Sequence, residues 1–191
     1  MSKNDIPHNE LKADGRTIRL RYMAPGDAEG VLAFAKSLPA HDLLFLNRDI
    51  RNPKVIDAWL EQIGQGLIRS LVAVEGDTVV GCNAMVRDEL SWSPHVADIR
   101  ILVSEDCRGL GLGRLLALHT LHRARVDGVR KLTVRMTPDQ GGALKLFEEM
   151  GFRPEALLRD HVRDADGETH DLAVMALDVD RHLAKQRAYG L

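Results

Sequence analysis

The sequence predicts an α/β protein of the α+β kind, with a mixed β-sheet, antiparallel at first, that is flanked by helices. Apolar and polar side chains alternate in several segments, which is the period of half-buried strands. Two pairs of these segments are separated by tight turns, such as Glu75-Gly76-Asp77, that favour hairpins. A glycine-rich turn also leads from a strand straight into a helix, which predicts one parallel crossover. The predicted order, β-α-α-β-β-β-α-β-α-β-β, has too many hairpins for a doubly wound parallel sheet.

The length and composition are those of one globular domain. The chain has 191 residues, and ~150 residues is typical of a domain. A hydrophobic content of 45% with 28% charged residues is ordinary for a protein with a packed core. We expect the domain at residues 16–179, between a flexible N-terminus at 1–15 and a tail at 180–191 that is a frayed helix or disordered.

Charge, hydropathy and cysteine content argue against several classes of protein. A net charge of −2 disfavours nucleic-acid binding, which normally requires a basic surface. No apolar run approaches the ~20 residues that span a bilayer, and the polar N-terminus lacks the apolar core of a signal peptide. Cys82 and Cys107 do not have the spacing of a disulfide framework or a metal site. We therefore expect a cytoplasmic protein without membrane or nucleic-acid partners.

The first part of the chain predicts one strand and two helices. Residues 17–23 alternate as a strand, and Asp27 is a good N-cap for a helix at 28–38. Pro53 suits the first position of a second helix, which ends near residue 65. The segment between the helices, 39–51, has no clear period. It is expected to form either a short helix or a mobile wall over a pocket.

The second part predicts the remaining strands and two helices. Thr137 and Gln140 have the spacing of a capping box, and Gly151 is a suitable left-handed cap at the other end of that helix. The helices are expected at 112–124 and 138–150. The strands are expected at 70–74, 78–85, 95–103, 131–136, 156–163 and 168–177.

The turn Arg108-Gly109-Leu110-Gly111-Leu112-Gly113 is the most informative motif. Glycines at alternate positions between a strand and a helix leave backbone N–H groups uncovered. Free N–H groups and the helix dipole converge at such a helix N-terminus and favour an anion. The turn therefore predicts a ligand that carries phosphate.

Two common phosphate-binding motifs do not fit this turn. A P-loop requires Lys and Ser or Thr after its last glycine, whereas Arg114 and Leu115 follow Gly113. A dinucleotide-binding fold requires G-x-G-x-x-G and an acidic residue ~20 residues later. Here the spacing is G-x-G-x-G, and the next strand, at 131–136, contains no acid. An oxidoreductase with a nucleotide cofactor is therefore disfavoured.

Two segments resemble the GNAT superfamily of N-acetyltransferases. Residues 103–113 resemble its acetyl-CoA signature, Arg/Gln-x-x-Gly-x-Gly/Ala. Residues 140–152 are similar to the family's Asn-x-x-Ala-x-x-Leu-Tyr-x-x-x-Gly-Phe segment, with Gln140 in place of Asn and Phe147 in place of Tyr. The motifs occur in the right order with a strand between them, and the resemblance extends weakly over 18–179.

The resemblance implies a splayed sheet and acetyl-CoA as co-substrate, without a metal. In such proteins, the strand before the glycine turn holds the pantetheine arm by its backbone, and the turn holds the pyrophosphate. The cofactor-binding residues implied here are Ile101, Leu102, Val103, Arg108, Gly109, Leu110, Gly111, Leu112, Gly113, Arg114, Gln140 and Phe147.

The resemblance also suggests catalytic roles. GNAT enzymes often place a carboxylate on the strand before the glycine turn, where this chain has Asp98. It is either the base that deprotonates the amine, whose ordinary pKa is about 10.4, or a strand residue that pairs with neighbours. Phe147 cannot protonate the departing thiolate, and we interpret it as packing beside the cofactor arm. Gln140 either bonds the cofactor or only closes the capping box. A backbone amide near Leu102 or Val103 is the expected oxyanion donor.

The predicted function is transfer of an acetyl group from acetyl-CoA to a primary amine, by direct attack in a ternary complex. The alternative is a GNAT-like sensor or partner module that binds acyl-CoA without turnover. The acceptor stays open between small molecules and peptides. Acidic residues of the last hairpin, such as Asp164 and Glu168, either attract a cationic amine or are ordinary turn residues. No pattern indicates the oligomeric state, and a homodimer is compatible with the sequence.

Overall fold

The fold is built on one eight-stranded β-sheet, seen in a computed structural model that describes residues 9–188. The strands are β1 (Glu10–Ala13), β2 (Arg16–Tyr22), β3 (Ile68–Glu75), β4 (Thr78–Val86), β5 (Val96–Val103), β6 (Lys131–Met136), β7 (Arg153–Arg163) and β8 (Thr169–Asp178). They lie in the order β1-β2-β3-β4-β5-β6-β8-β7. Every neighbouring pair is antiparallel except β5 and β6, which are parallel.

Within residues 9–188, five α-helices and three short 3₁₀ turns connect or extend the strands. The helices are α1 (Ala28–Ser37), α2 (Pro53–Gly64), α3 (Leu112–Val126), α4 (Gly141–Glu149) and α5 (Val179–Ala188). The 3₁₀ turns are Pro25–Asp27, Ala40–Leu43 and Glu105–Cys107. Within the described residues, no helix combines the length and the apolar content that crossing a bilayer requires.

The helices cover both faces of the sheet. On one face, Val31 of α1 and Ile56 of α2 share a core with Leu102 of β5. On the other face, Leu121 of α3 and residues of α4 share a core with Ile99 of β5. Successive strand residues point to opposite faces, so one strand supplies both cores. β5 is therefore a central strand, buried between two layers of helices.

The predicted fold class is confirmed, and the seven predicted strands and four predicted helices are present. The crossover through α3 is also confirmed, since α3 joins the parallel pair β5 and β6. Gly151 has φ of 96° after α4, as a left-handed cap requires. The segment 39–51 contains the 3₁₀ turn Ala40–Leu43, as one of its two predicted alternatives required.

The prediction of a flexible N-terminus at 1–15 is wrong for residues 10–15; residues 1–8 lie outside the described residues. β1 pairs with β2 in the register Ala13↔Arg16. Asp14 and Gly15 between them have φ of 49° and 74°. Positive φ at both central residues is typical of a type I′ hairpin, for which Asp-Gly is a favoured sequence. The signal was present, but β1 is too short for its alternation to stand out.

Two further predictions concern helix ends. The tail at 180–191 is helical over its described residues, which belong to α5, so the structure supports the helix alternative; residues 189–191 lie outside the described residues. Val179, the first residue of α5, donates its N–H to the Arg130 carbonyl at 2.9 Å. The capping box at Thr137 is wrong. α4 begins at Gly141 behind Gln140, whose side chain caps nothing. The Thr137 hydroxyl instead lies 3.3 Å from Nε2 of His41.

Candidate active site

The sheet opens between its two parallel strands. β5 and β6 pair from Val96↔Lys131 to Ile99↔Val134, and the pairing ends there. Beyond that point β5 continues to Val103 along β4, while β6 continues to Met136 along β8. Among the strands of the described chain, none pairs with the side of residues 100–103 that faces away from β4. We call these residues the free edge of β5; the backbone N–H and C=O groups on their side away from β4 are available to a ligand.

The glycine turn follows directly after this edge. Gly109 and Gly111 have φ of 79° and 91°, a conformation that L side chains rarely adopt, and an added Cβ at either would meet nothing within 4 Å. The turn is therefore open above both residues. In α3, the Leu115 N–H is the first that donates to a carbonyl of the helix, that of Gly111 at 3.0 Å. The N–H groups before it therefore have no partner within the helix and form an open helix N-terminus.

Gly113 has a different role in the same turn. An added Cβ there would lie 3.4 Å from Leu146 of α4, in van der Waals contact. The first two glycines therefore uncover backbone, whereas the third lets α3 and α4 pack closely. The open part of the turn fits a phosphate-bearing group, because its backbone donors are accessible and no side chain fills the space above them.

Both arginines that flank the glycines are paired with carboxylates. Arg108 donates to Asp42 at 2.5 Å, and its guanidinium lies 3.8 Å from Glu105. Arg114 pairs with Glu149 of α4. All three carboxylates lie near the protein surface, where an anionic ligand would compete with them for the same guanidinium groups.

The structure separates the two predicted cofactor contacts on α4. The Gln140 side chain is half-buried and forms no hydrogen bond with the described residues, so its amide is available to a ligand. Phe147 is only 4% exposed and packs edge-to-face against Phe152 at a centroid distance of 5.1 Å. Phe147 is a core residue, and its role beside the cofactor arm stays a prediction.

Asp98 is held by its neighbours on the sheet face that bears α1 and α2. Nε of Arg100 donates to Oδ2 at 3.2 Å, and the Thr133 hydroxyl donates to Oδ1 at 3.2 Å. Nε of Arg135 lies 3.8 Å from Oδ1. These contacts match the alternative in which Asp98 pairs with its neighbours, and its role as a base stays a prediction.

A cleft of about 230 Å³ lies between α2 and the sheet, on the same face as Asp98. Leu46, Arg48 and Ile50 of the segment 39–51 line it, and the mobility expected of such a wall stays a prediction. Trp59 of α2 lines it as well as packing on the core. Its indole N–H donates to the Ser70 hydroxyl at 3.0 Å, so the rest of the ring gives the cleft an apolar surface.

The cleft and the free edge of β5 share residues. Arg100 and Leu102 line the cleft, and both belong to the unpaired stretch of β5. A molecule in the cleft and a molecule along the free edge would therefore meet across one short piece of strand. Cys82 also lines the cleft, but burial raises the pKa of its thiol to about 12. The thiol is protonated near neutral pH and is a poor nucleophile.

One segment touches both sides of the opening. In the 3₁₀ turn Ala40–Leu43, which we call the strap, Asp42 accepts from Arg108 of the glycine turn. The neighbouring His41 lies 2.7 Å from the Asp139 carboxylate, just before α4. Burial alone would raise the pKa of Asp139, but hydrogen bonds from the Thr137 hydroxyl and from His41 lower it overall.

The acidic hairpin after β7 is explained by its own hydrogen bonds. Asp164 accepts from the N–H groups of Asp166 and Glu168 and pairs with His170 at 2.7 Å. The hydrogen bond to Asp164 raises the pKa of His170. Potential ligand atoms of Asp164, Glu168 and His170 lie within 4.8 Å of one another, a distance that this hydrogen-bonded turn already accounts for. These contacts favour the interpretation of the hairpin as an ordinary turn.

The sequence patterns did not indicate three residues that line the cleft. Trp59 packs on the core and also lines the cleft. Arg48 lies in a segment without a period, so no pattern marked it. Arg100 is two residues from Asp98 and from Leu102 on the same strand, and this spacing is the signal that could have placed it on their face.

Comparison with known proteins relates this arrangement to one family. A model of the Acetyltransferase (GNAT) family matches residues 39–152, which is more than half of the chain. A [Ribosomal protein bS18]-alanine N-acetyltransferase of Salmonella typhimurium (strain LT2) is 30% identical over 79 residues, 41% of this chain and 53% of that protein. YwnH of Bacillus subtilis (strain 168) is 31% identical over 83 residues, 44% of this chain and 50% of that protein. The chain thus spans about half the length of these relatives.

Solved structures with the same fold cover most of the chain. An acetyltransferase of the GNAT family from Streptococcus pneumoniae superposes with a TM-score of 0.72 over 84% of this chain and 99% of that one, at 20% identity. The yncA protein of Salmonella typhimurium, in a structure with its cofactor acetyl-CoA, gives a TM-score of 0.73 over 85% and 94% of the two chains, at 19% identity. At these identities, the likeness concerns the fold.

Proposed function

Because the chain belongs to the GNAT family of acetyltransferases, we propose that it transfers an acetyl group from acetyl-CoA to a primary amine by direct attack in a ternary complex. One observation carries the proposal: Arg100 and Leu102 belong both to the free edge of β5 and to the wall of the cleft. The donor and the acceptor can therefore occupy separate sites that meet at the middle of one strand.

The donor site is the free edge of β5 together with the glycine turn. The backbone of Ile101, Leu102 and Val103 would hold the pantetheine arm, and the open turn from Arg108 to Arg114 would hold the pyrophosphate. Gln140, with its amide available, would bind the arm from the other side of the opening. When bound, acetyl-CoA supplies an acetyl thioester whose carbonyl carbon accepts the amine.

The acceptor site is the cleft between α2 and the sheet. The amine nitrogen forms a bond to the carbonyl carbon, the carbon–sulfur bond breaks, and the amine loses one proton. The free edge offers backbone N–H groups, the kind of preorganised donor that stabilises an oxyanion. Cys82 is a poor nucleophile because its thiol is protonated, which supports direct attack over a covalent acyl-enzyme.

Proton transfer relies on few side chains of this site. Phe147 has no hydroxyl and is buried, so the departing sulfur takes its proton from water; a thiol with a pKa of about 8.5 leaves acceptably near neutral pH. Asp98 remains the candidate base, although two guanidinium groups and a hydroxyl already engage its carboxylate.

Two measurements test the proposal. Calorimetry should show binding of acetyl-CoA, and thiol release should be slow with water alone and faster with a panel of primary amines. Failure to bind acetyl-CoA would refute the donor site. Binding without amine-dependent thiol release would favour the alternative of an acyl-CoA sensor, which the absence of a hydroxyl at Phe147 makes the appropriate rival.

A further inference from the structure

The charged residues of the acceptor cleft are both arginines. Arg48 is exposed at the wall and forms no ion pair or hydrogen bond with the described residues. Arg100 uses Nε for Asp98, and its two terminal nitrogens donate to no described residue. Both guanidinium groups can therefore accept an anion as a further partner, and Arg100 is partly oriented for it by Asp98.

Within the described part of the chain, no carboxylate lines the cleft to offset these charges. Asp49, the neighbour of Arg48 in the chain, is bound by Arg51 at 2.8 Å. Asp98 is shared between Arg100 and Arg135, so two guanidinium groups meet one carboxylate. The local balance at the bottom of the cleft is positive, and a cationic acceptor such as a polyamine would be repelled there.

The positive charge of Arg100 lies close to the place where the proposed reaction would occur. Arg100 is the first residue of β5 after Ile99, where pairing with β6 ends, and Arg135 comes after Val134 in the same way on β6. The two arginines therefore stand at the point where the sheet opens. An anionic group bound by Arg100 would lie beside the place where an acceptor amine meets the donor.

We infer that the acceptor is a small amine that also carries a carboxylate, held by Arg48 and Arg100, with an apolar body against Trp59. The inference rests on the proposed function and names the substrate class of its acceptor site. Guanidinium groups bind carboxylates with strong charge-assisted hydrogen bonds. The volume of about 230 Å³ is below the ~300–1,000 Å³ of pockets for drug-sized ligands, and Leu46 and Ile50 make the remaining wall apolar.

A matched pair of acceptors tests the role of the carboxylate. Leucine and 3-methylbutylamine differ only in the carboxyl group, and leucinamide replaces that group by a neutral one. Since a hydrogen bond to a charged group is worth about 1.5–3 kcal/mol, we expect kcat/KM with acetyl-CoA to be about 10–100-fold higher for leucine than for the other two. Equal values, or faster thiol release with spermidine than with leucine, would overturn the inference.

Substitutions locate the effect. Arg100→Gln and Arg48→Gln should each lower the ratio of kcat/KM for leucine over 3-methylbutylamine by about tenfold, mainly through KM for leucine. Arg125→Gln, at an exposed position of α3, is the matched control and should leave the ratio unchanged. A ratio that is the same in all three variants would contradict the assignment of the anion to these arginines.

A binding measurement separates this inference from the proposed function. If amines without a carboxylate accelerate thiol release as well as leucine does, the proposed acetyltransferase activity is supported and the carboxylate requirement is refuted. If no amine accelerates thiol release, the proposed function is refuted. Calorimetric titration of leucine into the protein with CoA then tests the carboxylate site of the cleft independently of activity. Leucine binding that Arg100→Gln weakens about tenfold would support the site, and no binding to the wild-type protein would overturn it.

Discussion

The proposed donor side and the proposed acceptor side of this protein differ in what forms them. The donor side consists of backbone: an unpaired strand edge, two glycines with positive φ, and the start of a helix. The acceptor side consists of side chains from the segment 39–51, α2, β4 and β5. Backbone groups are the same in every sequence, so a site made of them suits one unchanging ligand. A site made of side chains can change its ligand without changing the fold.

The largest expected effect is on the donor side. Gly111→Leu should weaken acetyl-CoA binding on the order of 100-fold, because a side chain would fill the open turn and the positive φ is strained for Leu. Calorimetry with acetyl-CoA measures the loss. Gly128→Leu is the matched control, since Gly128 has φ of 70° with equally open space but lies after α3. Both variants should lose similar stability, and equal loss of acetyl-CoA affinity would break the assignment of the turn.

The acceptor side should respond more weakly to a change at Asp98. Asp98→Asn should raise KM for a carboxylate acceptor by about tenfold, because Arg100 loses the partner that orients it. If Asp98 only positions Arg100, the pH dependence of kcat keeps its shape. A fall in kcat of about 10²–10⁴ together with loss of the acidic limb, along which activity rises as a base deprotonates, would instead establish Asp98 as the general base. Thr133→Val, which removes only the hydroxyl bonded to Asp98, is the control and should have a smaller effect of the same kind.

Substitution of Phe147 by Tyr tests whether a hydroxyl at this position affects the reaction. Phe147→Tyr should lower the free energy of unfolding by about 1–3 kcal/mol, because it buries a hydroxyl in an apolar core. Thermal unfolding should show a loss of roughly 2–4 °C per kcal/mol. We expect kcat to change less than twofold, since the ring packs on Phe152. A rise in kcat would show that the tyrosine hydroxyl reaches the thiolate. The side chain at position 147 would then not stay buried when acetyl-CoA binds.

The smallest effect should come from the Asp164–His170 pair, which lies outside the cleft and the glycine turn and contacts the strap through His41 at a ring-centroid distance of 5.1 Å. The pKa of His170 is raised by Asp164, so the pair stabilises the fold below the ordinary His pKa of about 6.5 and loses that contribution as the pH rises through the raised value. Asp164→Asn should therefore lower the melting temperature at pH 6, and the difference from wild type should shrink towards pH 9. A difference that stays constant with pH would show that the backbone hydrogen bonds of Asp164 dominate.

The contrast between the two sides also explains how far the sequence could predict the site. The glycine turn was identifiable because each requirement falls on a residue type at a fixed spacing, and Gly109 and Gly111 indeed have positive φ. The cleft could not be identified from the sequence, because Arg48, Trp59 and Arg100 are far apart in the chain and are brought together only by the fold. Only the irregular segment 39–51 indicated where a wall would lie.

The errors at element ends have local causes. The Thr137–Gln140 spacing fits a capping box, but the Thr137 hydroxyl is engaged by its neighbour Asp139 and by the distant His41, and these partners replace the cap. β1 lacks the length that makes alternation visible, although its Asp14-Gly15 turn was a usable hairpin signal. Such competition between local and tertiary partners cannot be resolved from spacing alone.

With the donor and the acceptor placed as proposed, we expect the strap to link the two binding events thermodynamically. Its Asp42 holds Arg108, so a pyrophosphate that takes this guanidinium releases Asp42 and changes the balance of contacts on the strap. The strap continues into Leu46 and Arg48 of the acceptor wall, so the same free energy enters acceptor affinity. By reciprocity, whatever factor the donor applies to acceptor affinity, the acceptor applies to donor affinity. We therefore expect the affinity measured for either substrate alone to differ from its affinity when the other substrate is bound.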